Sequence, residues 1–204
     1  MTAAPSSRPA RRGRPGYDLE SLLQVAVTLF NERGYDGTSM EDLSRKLGIT
    51  KSAIYHHVPS KQELLRLATN RALDTLYTVA TEAHSTQGPA IDRLEHLIHR
   101  SVTVLIDQLP FVTLLLRIRG NTPVERAALT RRRHIDHLVS ELVTQAAADG
   151  DLRPDIDPAT TSRLLFGMIN SLVEWYRPRR GTNPTQIADT VTTIALHGIR
   201  TPHP

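Results

Sequence analysis

From Tyr17 to Arg33 the apolar residues Leu19, Leu22, Leu23, Val25, Ala26, Leu29 and Phe30 return every three or four positions, which gathers them on one side of an α-helix. Gly34 closes this helix, because glycine enters the left-handed conformation of a helix end without a Cβ clash. A second start follows at once. Thr38 or Ser39 can cap it, and Glu41 and Asp42 fall in its first turn, where the helix dipole favours anions. Met40, Leu43 and Leu47 form its apolar stripe, and Gly48 follows where the backbone must turn sharply. Ile49 and Ile54 then supply the inner face of a third, very short helix capped by Thr50.

Beyond Ser60 nothing alternates with the period of a strand. The spacing predicts helices over 61–84, 90–108, 111–118, 123–149, 158–176 and 184–198, punctuated at Gly88-Pro89, Pro110, Gly120, Gly150, Pro178 and Gly181. Thr122-Pro123, Asp157-Pro158 and Asn183-Pro184 each set a capping side chain before a proline at the first helical position, where the missing N–H costs nothing. The fold class is therefore all-α with about nine helices. Three domains are expected: a basic arm over 1–16, a helix-turn-helix unit over 17–66, and a larger helical unit over 67–204.

Composition narrows the field. No apolar run is long enough for a membrane span and the N-terminus lacks the apolar stretch of a signal peptide, so a cytoplasmic chain is expected. Without cysteine, disulfides, thiolate metal sites and thiol redox sensing are excluded. The net charge of +4 is carried by the tail, since Arg8, Arg11, Arg12 and Arg14 precede the first acid and the rest of the chain holds 21 basic and 21 acidic residues. Residues 1–16 offer almost nothing to bury and are expected to be disordered without DNA. Arg12-Gly13-Arg14-Pro15 resembles the core of an AT-hook, which sends arginines into a narrow minor groove, although a solvated tail fits these four residues as well.

The stretch from Ser39 to His57 has the small residue, glycine and aliphatic at the separations of a helix-turn-helix. Its second helix turns only Ala53 and Ile54 inward, leaving Lys51, Ser52, Tyr55 and His56 for another partner. A recognition helix meets base edges with its N-terminal residues while hydroxyls and lysines hold phosphates. Thr50, Tyr55 and Lys61 are accordingly expected at phosphates and Lys51, Ser52, Ala53 and His56 at bases, with Thr38 and Ser39 counted among the DNA-contacting residues.

Gly34-Tyr35, Thr38, Leu43, Leu47-Gly48-Ile49-Thr50-Lys51, Ile54-Tyr55, Ser60-Lys61 and Leu64-Leu65 together resemble the N-terminal domain of the TetR family over residues 17–66, with Val58 where that family usually has phenylalanine. The resemblance implies a DNA-binding repressor, homodimeric through its last two long helices, on a pseudo-palindromic operator. Leu165, Ile169, Leu172, Val191 and Ile194 are the interface residues expected from the apolar bands there. The segments 116–122 and 174–178 are similar to a TetR branch that responds to acyl-CoA thioesters of lipid, steroid or aromatic-acid catabolism. By that resemblance Arg117, Arg119, Asn121, Met168 and Trp175 are expected at the ligand, arginines suiting phosphates and the indole suiting adenine. The same arginines also suit ion pairs, and Trp175 also suits an interface.

No cofactor and no metal site is expected. His96 with His99 and His134 with His137 each share a helix face, but no carboxylate completes either pair at ligand spacing. Arg131-Arg132-Arg133 reads as a solvated or ion-paired face. No phosphate loop, nucleophile elbow or metalloprotease motif supports an enzyme. The alternatives left are a sensor of hydrophobic compounds controlling an efflux gene and a helical adaptor that binds only protein.

Overall fold

The computed structural model describes residues 18–178 and 183–199, so the expectations on Arg12 and Arg14 lie outside the described residues. Helices α1 (Leu19–Arg33), α2 (Met40–Leu47) and α3 (Lys51–Tyr55) come first, followed by α4 (Lys61–Thr81), the single turn α5 (Ala83–Thr86), α6 (Ala90–Asp107), α7 (Leu109–Arg117), α8 (Pro123–Ala148), α9 (Pro158–Trp175) and α10 (Pro184–Ile199). The all-α expectation holds. No strand occurs among the described residues.

Local chemistry sets the ends. Asp18 caps α1 by accepting from Ser21 N–H at 2.8 Å. At α2 the cap is Ser39, whose hydroxyl accepts from Asp42 N–H while the Asp42 carboxylate accepts from Ser39 N–H at 3.0 Å. Such a reciprocal box satisfies two orphan donors, and losing the cap costs about 1 kcal/mol. Gly48 ends α2 at φ 67°, a left-handed position where a side chain would be strained. Ser44 then donates to the Ile49 carbonyl at 2.7 Å and holds the tight turn shut. Thr122 and Asp157 cap α8 and α9 in front of their prolines, as the sequence predicts.

Two boundaries differ from the periodicity. The predicted helix 61–84 stops at Glu82, whose backbone turns extended. Its carboxylate leaves the helix line to accept from Arg100 Nη2 and His96 Nε2, both at 3.0 Å, and Ser85 Oγ covers the freed Val79 carbonyl at 2.7 Å. Likewise the break before Pro110 falls at Gln108, and the proline sits in the first turn of α7.

The three short helices pack around Leu22, Ala26, Leu43, Ile54 and Leu64, all fully buried. Val58, the departure from the family pattern, is buried there too. In the larger body α4 lies against α8 and α7, and α6 packs on α10 and α8. Helix α7 also touches α1, so it stands between the first three helices and the rest. Helix α4 crosses the expected boundary at 66/67 without a break.

Candidate functional site

Helix α3 has one fully buried side chain, Ile54, which is 0 % exposed. Thr50 caps it by accepting from Ala53 N–H at 3.2 Å. Because a helix of five residues cannot hold itself together in water, this cap and the Ile54 anchor fix its orientation. Lys51, Ser52, Tyr55 and His56 are consequently left in solvent, Tyr55 at 50 %, with Ala53 half-buried. Lys51 Nζ meets Glu41 Oε2 at 3.0 Å, but both ends are exposed, and such a pair is worth at most about 1 kcal/mol. It yields readily to a stronger anion.

Three of the side chains expected at DNA are engaged within the chain itself. Thr38 is buried, and its hydroxyl donates to the Gly34 carbonyl at 2.8 Å, so it closes the end of α1. Ser39 spends its hydroxyl on the box of α2. Lys61 is no free phosphate clamp: Nζ donates to the carbonyls of Tyr35 at 2.9 Å and Thr38 at 2.8 Å and lies 4.2 Å from the Tyr35 ring centroid. A half-buried ammonium gains more from two fixed carbonyls and a π face than from water. Lys61 thereby ties the loop between α1 and α2 to α4. Partial burial of Tyr35 pushes its phenol pKa up, with Asp36 and Glu125 adding to the effect.

The residues expected at the ligand do not converge. Arg117, Arg119 and Asn121 line a groove facing Phe30 to Gly37, where Arg117 Nη1 donates to the Asn31 carbonyl at 3.1 Å. Asn121 gives its own N–H to the buried Glu125 carboxylate. Met168 and Trp175 sit instead on α9, Met168 half-buried and Trp175 59 % exposed.

A different cavity lies inside the larger body. It is walled by Leu76 of α4, Leu97 and Leu105 of α6, Val112, Leu115 and Leu116 of α7, Ile135 and Val139 of α8, and Phe166 and Ile169 of α9. The cavity is narrow, with a volume of about 50 Å³. Four polar side chains reach it: Ser101, Arg132, Asp136 and Asn170. Sequence reasoning missed them. Their signal is a polar residue in register with an apolar stripe, as Ser101 falls between Leu97 and Leu105 and Arg132 and Asp136 beside Ile135 and Val139. Burial pushes the Asp136 carboxyl above the usual carboxylate range, against the pull of Arg132.

The residues expected at a dimer interface divide by burial in the single chain. Leu165, Ile169, Leu172 and Val191 are covered by the chain's own core. The uncovered apolar side chains are Leu164 at 68 %, Ile194 at 62 % and Trp175. Each lies on the neighbouring face of the same two helices, α9 and α10.

Three of the four paired histidines are otherwise engaged: His96 meets Glu82, His99 meets Asp189 at 3.0 Å, and His137 meets Glu141 at 3.3 Å. Among the described residues no group of three or more His, Asp or Glu is arranged to hold a metal, and no helix is long and apolar enough to cross a membrane.

Comparison with known proteins gives this arrangement a family. Residues 22–68 match the bacterial regulatory proteins of the tetR family, and residues 87–199 match the tetracyclin repressor-like C-terminal domain. The crystal structure of SCO3833, a TetR-family regulator from Streptomyces coelicolor A3, superposes with a TM-score of 0.84 at 53 % identity, over 91 % of this chain and 94 % of that one. The transcriptional repressor KstR2 of Mycolicibacterium smegmatis is 26 % identical over 199 residues, 94 % of this chain and 95 % of its own. AibR, solved with isovaleryl coenzyme A and operator DNA, shares the fold at a TM-score of 0.72 and 23 % identity, over 87 % of this chain and 97 % of that one. The chain belongs to the TetR family of helix-turn-helix transcriptional regulators. Its relatives are regulators of transcription and not enzymes.

Proposed function

We propose that this protein is a cytoplasmic repressor that grips a pseudo-palindromic operator as a two-fold dimer and lets go when an acyl ligand, carried as its coenzyme A thioester, enters the interior cavity. Residues 17–66 form the reading unit and 67–204 the sensing and dimerising unit. The observation that carries the reading is the outward face of α3, where one anchor holds the helix and four side chains are left for a duplex. AibR, bound to both a coenzyme A ester and DNA, supports the ligand class. The apolar lining of the cavity suits the acyl part, and its side chains part to admit it. Its nucleotide end stays outside.

The test is a gel shift on the DNA upstream of the protein's own gene. The wild type binds with an affinity that falls steeply with salt. A Lys51→Ala, Tyr55→Ala double variant loses roughly 30-fold or more, since each such contact is worth about 1–3 kcal/mol. Unchanged binding by that variant refutes the assignment of α3, and failure of every acyl-CoA to release the DNA refutes the effector class.

For the dimer, the exposed stripe replaces the buried one as the meeting surface. Changing Leu164 and Ile194 together to Asp yields a folded monomer by light scattering, because both side chains are uncovered in the single chain and their loss leaves the core intact. A variant that remains dimeric removes α9 and α10 from the interface.

A further inference from the structure

The four polar side chains of the cavity have unspent bonding capacity. Ser101, Arg132, Asp136 and Asn170 make no hydrogen bond to any described residue, nor does a close ion pair join Arg132 to Asp136 one helical turn away. All four are half-buried, and a few unpaired polar groups in an otherwise apolar wall are what orient a ligand. Resting on the effector reading above, we propose that Arg132 and Asn170 receive the carbonyl oxygen of the acyl group and that Asp136 selects the thioester over the free acid.

The argument is a count of charges. A thioester carbonyl is neutral, so with it bound the cavity holds one cation, Arg132, and one anion, Asp136. A free carboxylate adds a second anion among hydrocarbon walls, where a charge without a partner is strongly disfavoured. Donors on Arg132 and Asn170 serve either oxygen, so they do not discriminate. Asp136 does. The free acid enters only when Asp136 takes up a proton and restores the balance. Burial already favours the protonated carboxyl. The walls facing Asp136 from α4, α6, α7 and α9 bring no ionisable side chain, which leaves Arg132 as the one charged neighbour in the lining.

Binding of the acid is thereby linked to one proton. Where Asp136 and the free acid are both ionised, affinity for the acid falls about tenfold per pH unit as pH rises, while affinity for the ester stays level. Neutralising Asp136 removes the link.

Calorimetric titration of the whole protein at pH 6 and pH 8 tests this, with isovaleryl-, decanoyl- and benzoyl-coenzyme A and the three matching acids as probes. An ester is expected to bind the wild type alike at both pH values, and its acid up to about a hundredfold more weakly at pH 8 than at pH 6. Asp136→Asn, nearly identical in shape, binds the acid at pH 8 at least about tenfold tighter than the wild type and without pH dependence. Arg132→Met weakens both ligands. Buffers of different ionisation enthalpy read close to one proton taken up per acid bound by the wild type, a measurement that needs no variant. If an ester binds but the acid-to-ester ratio is the same in wild type and Asp136→Asn, the role of Asp136 is overturned and the effector reading stands. If neither esters nor acids bind the wild type, the effector reading falls and this inference falls with it.

Discussion

Ile54→Asp is expected to abolish operator binding, by about a hundredfold or more, while the dimer and most of the helical signal persist. Ile54 is fully buried and is the only such residue in α3. An aspartate there must either stay charged in an apolar pocket or give up its charge, and each course costs several kcal/mol. Five residues of helix have no strength of their own to resist it. The recognition surface therefore loosens first. Far-UV circular dichroism beside fluorescence anisotropy on labelled operator separates the two effects: helicity drops little and binding drops greatly. Operator affinity within tenfold of the wild type sinks the claim that one anchor holds α3.

The second large effect is expected at Arg71, in the middle of α4. Its Nη1 reaches Glu20 Oε1 of α1 at 2.5 Å, its Nε donates to Gln108 Oε1 at 2.9 Å, and its guanidinium stands 4.3 Å from the Phe111 ring of α7. One side chain thus joins α1, α4 and the start of α7. Close by, Asn31 Nδ2 of α1 donates to the Pro110 carbonyl at 2.8 Å. The other face of α7 supplies Val112, Leu115 and Leu116 to the cavity wall, so a ligand that moves α7 pulls on α1 through these bonds. Arg71→Met keeps the aliphatic stem and deletes the fork. Ligand affinity of the free protein should change little, whereas the drop in operator affinity caused by a saturating acyl-CoA should shrink by about tenfold, most of a typical coupling of 1–3 kcal/mol. Release as complete as in the wild type would falsify this route.

Much of this molecule is readable in its sequence, because helix faces and caps are local. The stripe of α2, its Ser39 cap, the left-handed Gly48 and the capping residues before Pro123 and Pro158 all follow from neighbours a few positions away. What depends on distant partners is not readable. Lys61 and Thr38 have the chemistry of phosphate contacts, and only the approach of the Tyr35 loop turns both inward. Arg131, Arg132 and Arg133 are indistinguishable as letters. In the fold Arg131 pairs with Asp74 at 2.6 Å, Arg133 reaches Thr130, and Arg132 alone enters the cavity. The break at Glu82 likewise answers to Arg100 and His96, well along the chain. On α9 the apolar band is wide enough for a core and an interface, and periodicity does not say which edge faces home.

On the proposed division at residue 66, the unbroken run of α4 across that boundary makes the helix a lever. Its 21 residues span about 31 Å at 1.5 Å per residue, so a tilt of about 5° at one end swings the other by close to 3 Å. In a pair of subunits the two swings add, changing the distance between the paired reading heads by about 6 Å against a groove repeat of about 34 Å. In the proposed dimer a tilt of that size is therefore enough to put the two heads out of step with the double helix.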